Sequence, residues 1–70
     1  MKVKIGDKIR HSIFGGKSKV GIIQDIQICR QRCKSGRSVK SADVNKHHGV
    51  IDLDSGHWCY FYQVIEIIND

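Results

Sequence analysis

Seventy residues allow one domain, and a chain this short buries only about 60% of the surface its unfolded form exposes, which leaves little material for a deep catalytic cleft. Apolar residues (40%) are spread along the chain beside 27% charged ones, which argues against disorder, and no apolar run approaches the length of a bilayer span. The net charge of +5 is local: from Ile26 to Ala42 there are five bases and no acid, while the other seven bases balance seven acids. Such a segment attracts polyanions or an acidic protein face.

Eleven Ile and six Val, against one Leu and one Ala, favour pleated strands over long helices. The amino terminus alternates Val3 and Ile5 with lysines, turns at Gly6-Asp7, and resumes at Ile9 with Lys8 and Arg10 facing the other way. Gly15-Gly16-Lys17-Ser18 makes a flexible connection. It lacks the spacing of a phosphate loop, and no helix is expected after it. A long strand follows in which Val20, Ile22, Ile26 and Ile28 share one parity and Ile23, Asp25, Gln27 and Cys29 the other. Gln24 breaks the apolar face, so a β-bulge near Gly21 or Gln24 is expected to bend the strand.

Residues 34–46, rich in Ser, Lys and Arg, read as a long, mobile basic hairpin loop within the single domain 1–70. Pairing resumes with Gly49–Leu53, a turn at Asp54-Ser55-Gly56 and a return strand His57–Tyr62. Two registers compete. A two-residue turn at Ser55-Gly56 sets Leu53 against Trp58 and Ile51 against Tyr60, so the aromatics join the core and Phe61 lies outside. A three-residue loop with Gly56 left-handed sets Leu53 against His57 and Ile51 against Cys59, so Phe61 goes in and Trp58, Tyr60 and Tyr62 form an exposed stripe. The first buries more apolar area and is the one expected here. A helical turn near Tyr62-Gln63 and a last strand, Val64–Ile68, complete a small, five-stranded all-β domain.

The layout resembles the SH3-like barrels of the Tudor and KOW type. A tighter likeness covers the first third: Gly6-Asp7-Lys8-Ile9-Arg10-His11-Ser12-Ile13-Phe14-Gly15, then Val20-Gly21-Ile22-Ile23, is similar to the start of the carboxy-terminal Tudor-like domain of UvrD-type helicases and to the RNA-polymerase-interacting domain of the CarD group. The resemblance implies a docking module for RNA polymerase or nucleic acid without activity of its own. The segment 30–46 is longer than such domains usually carry.

Cys29, Cys33, His47, His48, His57 and Cys59 are soft ligands, but two cysteines four apart on an extended strand lie about 13 Å from each other, too far for one tetrahedral zinc unless the strand ends at Arg30. No metal or other cofactor is expected. A Cys59–His57 or Cys59–His48 pair with Asp52 or Asp54 can be drawn, yet no nucleophile turn is visible, and an enzyme is not expected. The odd cysteine count and the lack of a signal-peptide core suggest free thiols in the cytoplasm.

The strongest functional signal is the basic arm. Arg30, Arg32, Lys34, Arg37 and Lys40 are expected to track a phosphate backbone, of DNA or RNA, with Trp58 and Tyr60 adding base stacking if exposed. The alternative partner is an acidic protein such as RNA polymerase or a helicase, to which the domain docks or which it inhibits. His11 beside Arg10 is a further phosphate candidate, weighed against a simple role in covering the first strands.

Overall fold

A computed structural model describes residues 1–68. The chain is all-β: β1 (Lys2–Lys4), β2 (Lys8–Ser12), β3 (Ser18–Ile28), β4 (Arg37–Val39), β5 (Ser41–Asp43), β6 (Gly49–Leu53), β7 (Trp58–Tyr60) and β8 (Val64–Ile68), with a single 3-10 turn at Phe61–Gln63 before the last strand. All the pairings are antiparallel. The main order is β7-β6-β3-β2-β8, with β4 on β3, while β1 and β5 form a separate ribbon. Among the described residues this order does not close into a complete barrel. No helix there is long and apolar enough to cross a membrane.

The β-branched side chains of β3 organise the sheet. Its first half pairs with β2, and its second half lies between β6 and β4. On β6 the partners step from Leu53 to Asp52 while β3 steps from Ile23 to Asp25, so Gln24 is the extra residue of a bulge. This is one of the two expected positions. Its consequence differs from a single apolar parity, because Gly21 and Ile23 face inward before the bulge and Ile26 after it. Ile22 is left exposed. An extra residue reverses the alternation, and the strand bends there.

The core gathers Val3, Ile9, Ile23, Ile26, Ala42, Val44, Ile51, Leu53, Cys59 and Phe61, with Ile28, Val39, Val64 and Ile67 packed against it. His11 is also inside, 1% exposed, and cannot reach a phosphate. Its Nδ1 lies 3.3 Å from the Ser12 carbonyl, and Nε2 has no hydrogen-bond partner.

The segment 34–46 differs from the expected loop. It contains β4, paired with β3, and β5, paired with β1, so the described residues form eight strands where five are expected. Sequence patterning misses such strands because three residues are too few to establish a period of two, and the exposed Arg37-Ser38 has the composition of a loop.

Candidate nucleic-acid interface

The β6–β7 hairpin decides what the surface presents. Its register sets Ile51 against Cys59 and Asp52 against Trp58, and the Leu53 N–H donates to the His57 carbonyl at 2.9 Å. This is the three-residue loop, with Gly56 left-handed at φ 85°, a conformation glycine adopts without steric cost. The expectation that Trp58 and Tyr60 join the core is therefore corrected. Phe61, swung inward by the 3-10 turn, takes that place at 2% exposure, while Trp58 is 44% and Tyr62 78% exposed and Tyr60 is half-buried between them.

The three rings form a continuous stripe. Trp58 meets Tyr60 edge to face with centroids 5.1 Å apart, and Tyr60 stacks on Tyr62 at 5.4 Å with planes 11° apart. Gln63 holds the corner beneath: its Oε1 accepts from the Tyr60 N–H at 2.8 Å, and its Nε2 donates to the Ser12 carbonyl at 3.1 Å.

The basic segment folds back on this stripe. A turn links Arg30 to Cys33, whose N–H donates to the Arg30 carbonyl at 3.0 Å, with Arg32 left-handed at φ 70°. The return to β4 lies close on β3. Gly36 N–H donates to Gln27 Oε1 at 3.1 Å, and a Cβ at Gly36 would collide with the Ile28 carbonyl and approach Cys29 Cβ to 2.7 Å. Lys34 Nζ then sits 5.7 Å from the centre of the Trp58 ring, a cation–π contact.

Beside the stripe runs a groove of about 690 Å³, bordered by Arg30, Arg32, His47, His48, Tyr60 and Tyr62, with Gly49 and Phe61 also in its lining. None of its lining residues is an acid. A side chain at Gly49 would strike the Gln27 carbonyl and the Phe61 ring, so the close approach there requires glycine. His47, His48 and Tyr62 belong to the same surface, although the sequence alone does not single them out as binding residues. Their membership depends on a fold contact between residues 44–49 and the turn after β7, which no local pattern encodes.

Of the expected site residues, Arg30, Arg32 and Tyr60 line the groove, and Trp58 and Lys34 adjoin it through the Trp58–Tyr60 and Lys34–Trp58 contacts. Arg37 on β4, opposite Ile28, and Lys40, whose carbonyl accepts from the Ile5 N–H at 3.1 Å, lie outside both the lining and these contacts. The charge does not form one even band. Arg30, Arg32, Lys34, Arg37 and Lys40 have no carboxylate partner among the described residues, in contrast to Lys4 with Asp7 (2.9 Å) and Arg10 with Glu66 (3.1 Å). Asp52 is opposite Trp58, and Asp25 is opposite Asp52, so two carboxylates share the cross-strand row of Trp58.

Cys59 is sealed in the core. Burial, and after it the Asp52 charge, pushes the Cys59 thiol up to about 12, so it stays protonated and non-nucleophilic. His57 Nε2 instead lies 3.4 Å from Lys19 Nζ. Cys29 is raised by burial and by its neighbour Cys33, and its Sγ donates to the Cys33 carbonyl at 3.1 Å. No group of three or more His, Cys, Asp or Glu residues among the described residues converges as a metal site. Comparison with protein-family models, with curated proteins and with solved structures finds no match to this chain.

Proposed function

We propose that this protein is a non-catalytic nucleic-acid-binding module of SH3-like, Tudor- or KOW-like architecture. Its contact surface is the groove edged by Arg30, Arg32, Tyr60 and Tyr62 together with the adjoining Trp58 and Lys34. The observation that carries the reading is the combination of three cations without carboxylate partners among the described residues and the aromatic stripe beside them. Cations supply sequence-independent phosphate affinity, and flat rings accept any base. The bent β3 and the 3-10 turn before the last strand support the architectural part of the reading.

Three phosphate contacts give a salt slope of about −2 to −3 in log K against log salt, so affinity should fall roughly a hundredfold or more over a tenfold rise in salt. The triple variant Arg30→Gln, Arg32→Asn, Lys34→Gln should lose most of both affinity and slope; Lys17→Gln in the β2–β3 connection with Lys19→Gln at the start of β3 should retain more of both. Affinity unchanged in the triple variant would falsify the assignment.

A second reading has Phe14 in its favour. This ring stands fully exposed at the tip between β2 and β3, where an apolar side chain costs solubility and suits a protein contact. On that reading the module docks on an acidic protein such as RNA polymerase or a helicase. Complex formation that survives nuclease treatment and is lost in Phe14→Ser would favour it.

A further inference from the structure

The stripe and its surroundings carry the proposed reading one step further, to the form of nucleic acid bound. Tyr60 already has Tyr62 stacked on it and meets Trp58 edge to face, so its ring acts as a spacer. Trp58 and Tyr62 are the two exposed members, Trp58 with the Lys34 ammonium over its ring. Rings displayed this way stack on bases that are not already stacked in a duplex. Lys34 holds its ammonium over Trp58, and a base arriving there displaces that cation towards the phosphate of the same nucleotide.

The charge map disfavours a second strand. Arg30 and Arg32 border the groove beside Tyr60 and Tyr62, whereas Asp52 and, beyond it, Asp25 lie in the cross-strand row of Trp58. A duplex laid across this face would set one phosphate backbone against the two carboxylates, at the cost of like-charge repulsion. A single strand satisfies both sides, with phosphates towards the arginines and bases on the rings.

Resting on the nucleic-acid reading above, we infer that the groove takes a single-stranded segment, about two unpaired bases stacking on Tyr62 and, in place of the Lys34 ammonium, on Trp58, while Arg30, Arg32 and Lys34 hold the adjoining phosphates. DNA and RNA share this chemistry.

The test uses the full chain, whose only tryptophan reports its own face. Oligothymidylate, oligouridylate and a blunt DNA duplex of equal length are titrated in parallel, with Trp58 fluorescence and the anisotropy of labelled nucleic acid recorded. Either single strand should quench Trp58 and bind at least tenfold more tightly than the duplex, and the stronger of the two identifies the preferred sugar. Tyr62→Ala, at a position exposed enough to spare the fold, should weaken single-strand binding about five- to a hundredfold and leave the salt slope unchanged. Equal binding of duplex and single strands, with no effect of Tyr62→Ala, would overturn the single-strand inference while leaving the nucleic-acid reading intact. Absence of binding to all three at low salt would overturn both.

Discussion

Arg32 combines a backbone cost with a surface position that needs no side chain for packing. Holding a non-glycine residue at φ 70° costs about 1–2 kcal/mol, and strain of this kind persists where the side chain serves a purpose. Arg32→Gly should therefore leave the melting temperature unchanged or higher while weakening oligonucleotide binding several-fold. A variant that loses stability and keeps its binding would make Arg32 a structural residue. The thiols give a second residue-scale expectation. Exposed Cys33 should react first with an alkylating reagent, half-buried Cys29 more slowly, and Cys59 only after unfolding. Because Cys33 lines the groove, its modification should weaken nucleic-acid binding. The raised Cys59 value also has a pH consequence: its neutral form favours the folded state fully below the ordinary 9.0, and that advantage is lost as pH rises towards about 12. Thermal melts should show stability falling across this alkaline window, with a shallower fall in Cys59→Ala.

Among the elements, the hairpin from β6 to β7 shows what local pattern can and cannot decide. The turn at Asp54-Ser55-Gly56 and the strands around it follow from β-branched residues bounded by turn residues, and so does the final strand after its 3-10 turn. Within the hairpin alone, burying two large aromatics is better than burying one. The turn at Phe61–Gln63, clamped by Gln63 to Ser12, delivers Phe61 to the core from the next element and removes the advantage. Phe61→Ala should accordingly cost about 3–5 kcal/mol in chemical denaturation, whereas Trp58→Leu should change stability by about 0.5 kcal/mol or less. The opposite ranking would restore the two-residue turn. Gly36→Ala makes an independent test of the docked basic segment: the added methyl should force the 33–36 return off β3 and weaken binding without replacing any cation.

At the scale of the whole molecule, composition announced the all-β class and the location of the excess charge, and the structure explains why only part of that charge gathers. The turn at Arg30–Cys33 and the close seat of Gly36 bring Arg30, Arg32 and Lys34 to the aromatic face, while β4 and β5 carry Arg37 and Lys40 away from it. Linear spacing cannot reveal this division, because it depends on which strand each short segment joins. The place of Asp25 and Asp52 in the cross-strand row of Trp58 has the same origin, since it follows from the register of β3, β6 and β7. The most direct test of the account is a map of backbone amide shifts during titration with a single-stranded oligonucleotide at low salt. The largest changes should fall on residues 30–34, on His47–Gly49 and on Trp58–Tyr62. Changes centred on Phe14 and the β2–β3 tip, or scattered evenly over the surface, would contradict it.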